Sequence, residues 1–354
     1  MNFVGRAEII ESIQSRVAMG QMSLCVVYGP HRSGKSYVAS QLVRRHKALY
    51  LAGRIANEAI HVADMNRALE ARFVPTDGQG KFEPIASLQE AFKGLFEDSV
   101  KTPQTVVIDD YPSLVEAVPQ FPIYLSDLLE AYKETSHLNI ILMANGLEQL
   151  DGRIIGERSL IGPYVSEYFE VKPFSLVDMK SLGLHYPKDD LRTVFAVTGG
   201  LPAYVHYFDN GESIDTNIIN LFFSVSGALF EETQHILHRD MKNITGANAI
   251  LSGLATLERP YYVELLQASQ IKSGTFTSRL NDLMAMGLVG RIQANSRGPA
   301  KYADYHFTNS MFHFWYRYVY KYWGDIVRGN GADVYHTYVK PQLKDFVEAS
   351  CIAM

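Results

Sequence analysis

The chain has 354 residues, 47% hydrophobic and 20% charged, with a net charge of −5. That balance excludes a disordered or fibrous polymer and a protein coated evenly with positive charge, and the length calls for two or three domains. The only cysteines, Cys25 and Cys351, stand far apart, which excludes a disulfide-stapled secreted scaffold or a cysteine-ligated zinc site and fits a reducing cytoplasm.

The opening residues become charged within six positions and have no apolar h-region, so no signal peptide is expected. No run reaches the roughly 20 apolar residues of a membrane span. The expectation is a cytoplasmic protein with no membrane partner.

In chain order, residues 6–18 place Ile9, Ile10 and Ile13 at helical spacing. Residues 22–28 form an apolar run that ends in Gly29-Pro30 and reads as a buried strand, with a helix over about 34–46 behind it. A second strand is predicted at 48–52, and helices over about 56–72 and 86–97, with a Gly-containing loop around Thr76–Gly80 between them. A third strand, Thr105–Ile108, ends in Asp109-Asp110. A helix over about 121–134, a fourth strand at Asn139–Met143 and a weaker fifth near 166–171 complete the series. Short apolar strands alternating with helices imply an α/β fold, a parallel sheet covered on both faces. Past Phe174 the pattern turns helical until about 287, so the first domain is expected to span 1–175 and a helical lid 176–240.

Residues 29–36, Gly29-Pro30-His31-Arg32-Ser33-Gly34-Lys35-Ser36, match G-x-x-x-x-G-K-[ST] in full. Glycines let successive backbone N–H groups turn inward onto phosphate oxygens, and the following helix adds its positive end. Lys35 then reaches the β- and γ-phosphates, and the Ser36 hydroxyl is a magnesium ligand. Chance gives roughly one such match per hundred chains of this length, and the strand before and helix after make chance rarer still. Tyr37 continues the nucleotide-binding segment. The site also needs a carboxylate on a neighbouring strand end. Asp109 is expected to hold magnesium, and Asp110 to orient the attacking water or to cap the helix that begins before Tyr111-Pro112-Ser113. No N-K-x-D tetrapeptide occurs, so the expected nucleotide is ATP.

These residues resemble the archaeal-type ATPase family, grouped with the AAA+ and STAND nucleotide-triphosphatases. The resemblance rests on Phe3-Val4-Gly5-Arg6 before an acidic helix, the phosphate loop, Gly199-Gly200-Leu201-Pro202-Ala203-Tyr204, and Phe312-His313-Phe314-Trp315-Tyr316-Arg317. It implies a P-loop sheet of order 5-1-4-3-2 with a helical lid and a winged helix. It places Val4 and Arg6 near the adenine, Pro202 near the nucleotide, and Asn145 as the polar sensor of the γ-phosphate. Arg158 or Arg153 is either a finger presented to a neighbouring subunit, which would make the protein a homo-oligomer, or a solvated loop arginine. The family's D-E is D-D here, so a shorter Asp110 activates water less readily. Longer members carry a nuclease-like domain; none is expected here, and no nuclease activity is expected.

Residues 241–310 read as a winged helix, with helices 247–257, 261–267 and 273–286 and strands 288–293 and 302–307 framing a wing of Ser296, Arg297, Gly298 and Lys301. Between 241 and 330, ten Lys and Arg face five Asp and Glu, a local excess that suits DNA phosphates. Candidate contacts are Lys272, Ser273, Thr275, Thr277, Arg279, Arg297 and Lys301, the hydroxyls also suiting helix capping. The partner is double-stranded DNA or a protein. Residues 311–354 form an aromatic helical extension, with Phe312, Trp315, Tyr316, Val319 and Trp323 on one packing face. The scattered histidines, His31 among them, show no metal-ligand spacing. The expected function is an ATP-hydrolysing molecular switch. The alternatives are a DNA-binding regulator that holds nucleotide with little turnover, and a non-DNA scaffold or defence sensor.

Overall fold

The computed structural model describes residues 6–73, 82–146, 159–241, 243–292 and 303–353. Its contacts divide the chain into two compact units, Met1–Lys172 and Pro173–Met354.

The first unit runs α1 (Ala7–Ala18), β1 (Ser23–Tyr28), α2 (Lys35–His46), β2 (Leu49–Ala52), α3 (Glu58–Phe73), α4 (Leu88–Ser99), β3 (Gln104–Asp109), α5 (Tyr111–Ala117), α6 (Phe121–Tyr132), β4 (Leu138–Ala144) and β5 (Val165–Glu170). The five strands make one parallel sheet. From one edge it reads β5-β1-β4-β3-β2, the order the family resemblance implies. Successive residues of β1 face opposite ways, as a strand requires. Leu24 and Val26 join Phe92, Phe96 and Phe121 on one face, while Cys25 and Val27 join Ile10, Val38 and Leu42 on the other. Both faces of the inner strands are thereby covered, which is why β1 and β4 are buried and apolar along most of their length, while the edge strand β5 leaves Ser166, Tyr168 and Glu170 exposed.

Helix α5 is the helix that the capping alternative for Asp110 requires. Pro112 sits in the helix's first turn, where its missing N–H has no intrahelical carbonyl to lose. The Gly-containing segment around Thr76–Gly80 lies outside the described residues.

The second unit runs α7 (Leu176–Lys180), α8 (Lys188–Thr198), α9 (Pro202–Val205), α10 (Ile214–Phe222), α11 (Glu232–Asp240), α12 (Thr245–Thr256), α13 (Tyr262–Ser269), α14 (Ser273–Ala285), β6 (Val289–Ile292), β7 (Asp304–Phe307) and α15 (Ser310–Phe314). Three wider π-type stretches follow, at Trp315–Tyr320, Ile326–Asn330 and Tyr335–Val339, and a last helix, Lys340–Ala353. Strands β6 and β7 pair antiparallel, and an isolated bridge joins Tyr261 to Asp304.

One apolar cluster runs from Phe174 to Val347. Phe312, Trp315, Tyr316 and Val319 are buried in it, and Trp315 Nε1 donates to the Phe230 carbonyl at 2.8 Å. Trp323 is half-buried and stacks on Phe230, centroids 4.2 Å apart. The aromatic block is therefore packing, and the indole N–H is satisfied within it.

Candidate functional site

The loop Gly29–Ser36 leaves the carboxyl end of β1 and opens α2. Gly29 N donates to the Ala144 carbonyl at 3.3 Å, and Val171 N to the Tyr28 carbonyl at 2.7 Å, so the loop starts pinned to both neighbouring strands. A side chain on Gly29 would bring its Cβ to 2.3 Å from the Val171 oxygen, so only glycine fits this close approach. Gly34 has φ +98 and nothing nearer than 3.6 Å to a built Cβ; conformation, not crowding, demands glycine there. Arg32 also takes a positive φ, 67°. Ser33 N closes the turn onto the Pro30 carbonyl at 3.2 Å.

Lys35 is buried at 8% exposure. Its ammonium donates to the Gly29 carbonyl at 2.7 Å and to the Pro30 carbonyl at 2.9 Å. The charge is thus held inside the loop's own curl, where a phosphate oxygen can replace a neutral carbonyl as its acceptor. Ser33 Oγ is buried and has no hydrogen-bond partner among the described residues. Ser36 lies exposed in the first turn of α2, where backbone N–H groups have no carbonyl one turn earlier.

Arg6 plays a part that its place in the sequence did not reveal. Its guanidinium donates to the Ser33 carbonyl at 2.7 Å and to the Lys172 carbonyl at 2.6 Å. It therefore ties the phosphate loop to the chain leaving β5. Val4, expected beside it at the adenine, lies outside the described residues.

The loop shares its sheet edge with the acidic pair. Tyr28 is level with Ala144 on β4, and Leu142 of β4 is level with Ile108 on β3. Asn145, half-buried, and Asp109-Asp110 consequently emerge at the same carboxyl edge as Gly29. At about 4.8 Å per strand the Asp109 strand stands roughly 10 Å from the loop strand, across β4. Asp109 Oδ2 accepts from the Tyr50 hydroxyl at 2.8 Å, and its Oδ1 from the Asp110 N–H at 3.0 Å. Burial, then the charge of Asp109, pushes the Tyr50 phenol up, so it stays protonated as a donor. Neither Tyr50 nor Gly53 was found by sequence reading. A Cβ on Gly53 would meet the Asp110 oxygen at 2.1 Å, so glycine must follow β2 where the chain passes the Asp109-Asp110 backbone.

Asp110 occupies the N-cap position of α5 with φ +48, and its side chain caps no backbone N–H. Its carboxylate instead accepts from the Ser113 hydroxyl at 2.9 Å. The capping alternative therefore holds for the position and fails for the carboxylate. One hydroxyl on α2 and one carboxylate on β3 match the sparse donor set magnesium takes from protein when phosphates and water supply the rest. Among the described residues no cluster of three or more His, Cys, Asp or Glu could hold a metal by itself.

Pro202 opens α9 in the second unit and is buried. Gly199 and Gly200 before it both take positive φ, and a Cβ on Gly200 would lie 2.4 Å from the Phe174 oxygen. Tyr204 donates to Glu232 Oε1 at 2.9 Å in the interior. This motif has a packing role within its own unit.

On α14, Lys272, Ser273 and Thr275 are exposed. Lys272, not a serine, holds the N-cap position, without a side-chain cap, which corrects the capping role expected of the hydroxyls. Thr277 shares a hydrogen bond with the Tyr262 hydroxyl at 2.7 Å. Arg279 pairs with Asp282 at 2.8 Å, one turn on; its charge is already answered. Arg153, Arg158, Ser296, Arg297, Gly298 and Lys301 lie outside the described residues.

Comparison with known proteins matches residues 3–208 to a family described as an ATPase domain predominantly from Archaea. An uncharacterized protein of Methanocaldococcus jannaschii is 18% identical over 206 residues, 57% of this chain and 43% of its own length. The chain thus spans under half the length of that curated relative. Among solved structures, a Walker-type ATPase of Pyrococcus abyssi is similar with TM-score 0.65 and 16% identity, over 89% of this chain and 96% of that one. The ORC2 protein of Aeropyrum pernix, solved as ADPNP–ADP complexes, gives TM-score 0.50 and 11% identity over 93% and 96%. At such identities the likeness is one of fold. No helix among the described residues is long and apolar enough to cross a membrane.

Proposed function

The chain belongs to the family of ATPase domains found predominantly in Archaea, and on that premise we propose that it binds and hydrolyses ATP as a molecular switch. The observation that carries this reading is the buried Lys35 ammonium on the Gly29 and Pro30 carbonyls, at a sheet edge shared with Asp109 and Asn145. Binding exchanges those carbonyls for β- and γ-phosphate oxygens, a stronger, charge-assisted pairing. Loop N–H groups and the start of α2 surround the remaining oxygens. Ser36 and Asp109 hold magnesium, which when bound neutralises charge gathering on the phosphates.

Asp110, fixed by the Ser113 hydroxyl, accepts the proton of the water that attacks the γ-phosphorus, and the bond to the bridging oxygen breaks to leave ADP. Asn145 senses the γ-phosphate from the end of β4. By family resemblance, Pro202 is a candidate nucleotide contact, and Arg158 or Arg153 is the candidate finger in a homo-oligomer. Magnesium-dependent phosphate release from wild type and from Lys35→Ala tests the reading; equal release from both removes it.

The second unit's α12–α14 and β6–β7 are proposed as a winged helix that carries nucleotide state to a partner. Exposed Lys272, Ser273 and Thr275 favour contact with DNA phosphates. The Arg279–Asp282 pair favours a docked protein instead, since it withdraws a cation from the face that would meet DNA. Salt-dependent duplex binding that falls on Lys272→Glu supports DNA; no duplex affinity at low salt supports the protein partner.

A further inference from the structure

We propose that the second unit holds a binding site for a small planar aromatic anion of the nucleoside monophosphate class, in a cavity walled by the end of α12, the β6–β7 ribbon and the C-terminal helices. The cavity measures about 980 Å³, at the upper end of the roughly 300–1,000 Å³ usual for small-molecule sites. It is separate from the phosphate loop, which belongs to the first unit, and it does not rest on the ATPase reading.

Charge and ring chemistry select the ligand. Arg317 and Lys321, four residues apart, both line the cavity, and Glu258 is the one carboxylate in its described wall. Among the described residues neither cation forms an ion pair; Arg317 spends one N–H on Gln342 Oε1 at 3.1 Å. Burial, then the charge of Arg317, pushes His313 down to about 4, so at neutral pH the imidazole adds hydrogen bonding and a ring face but no charge. The two cations lie over aromatic rings, Arg317 5.4 Å from the Tyr318 centroid and Lys321 5.2 Å from that of Tyr322. His313 is stacked parallel to Phe307, centroids 5.2 Å apart.

An anion is drawn to the cation pair, and a planar ring finds stacking partners beside it. Ser310, buried at 7% exposure, also lines the wall. A single phosphate and one ring use both the cations and the stacking faces.

The test is calorimetric titration of AMP, GMP, CMP and UMP into the full chain, both as wild type and as Lys35→Ala. Monophosphates lack the β- and γ-phosphates that the phosphate loop grips, so saturable uptake should be the same in both proteins. Replacing both cations, Arg317→Gln with Lys321→Gln, should weaken uptake about tenfold or more. Lys321→Glu, a single change on an exposed side chain, should weaken it in the same direction. Thermal melting checks that each variant is folded. No saturable uptake, uptake unchanged in the folded variants, or uptake of oligonucleotides alone would each overturn the proposal.

Discussion

Tyr50→Phe removes one oxygen atom and asks what it does for Asp109. The phenol donates to Asp109 Oδ2 at 2.8 Å, and Tyr50 is 40% exposed. Water can therefore take the vacated place, and the stability cost should stay within about 0.5–1 kcal/mol, the low end for a hydrogen bond. The effect on magnesium should be larger. Groups that orient a metal-binding carboxylate typically change affinity or activity about 10–100-fold when lost, and water's partial substitution places this one near the lower figure. The assay is phosphate release against magnesium concentration. The half-saturating magnesium concentration should rise about tenfold, with turnover recovering at saturation and the melting temperature nearly constant. An unchanged magnesium requirement would refute a positioning role for Tyr50. A large fall in melting temperature would show that the bond serves the fold instead.

Gly29→Ala should destabilise the first unit by at least about 1–3 kcal/mol in urea unfolding, the scale of forced backbone strain, because its Cβ would stand 2.3 Å from the Val171 oxygen. Nucleotide uptake should be lost with it. Ser113→Ala frees the Asp110 carboxylate and should slow turnover about two- to tenfold, the equivalent of one net hydrogen bond, while single-turnover ATP binding stays as it was. Asp215 is raised by burial and lowered more by its bonds to Lys340 and Tyr335, for a net downward shift. A depressed carboxyl contributes stability above its unfolded value and loses it as pH falls through the folded one. Between about pH 5 and pH 2 the wild type should therefore lose more stability than Asp215→Asn in pH-dependent melting; equal losses would count against the pair.

Local signals carried far in this chain. An apolar strand, a glycine-framed loop and a helix are contiguous, so the phosphate loop was legible from Gly29 to Ser36, and apolar strands with helices between them announced the sheet. Strand order was not contained in any periodicity; it came from the family resemblance. Contacts between distant residues were invisible. Arg6 reaches Ser33 and Lys172, and Tyr50 reaches Asp109, across separations of 27, 166 and 59 residues, and no pattern of spacing encodes such pairs. The helix after Asp110 was legible as the capping alternative, because proline is at home in a helix's first turn. Arg279, a candidate DNA contact by sequence, pairs with Asp282 one turn on, a neighbour that helical spacing could have flagged. The cavity around Arg317 and Lys321 exists only once the ribbon and the C-terminal helices are folded together.

The claim that the Gly29–Ser36 loop encloses a triphosphate is tested most directly by calorimetry of ATP with and without magnesium, on wild type and Lys35→Ala. Wild type should take up ATP in a magnesium-dependent manner, and the variant should lose about tenfold or more of that affinity. Magnesium-dependent uptake that is absent from wild type, or equal in the two proteins, would contradict it.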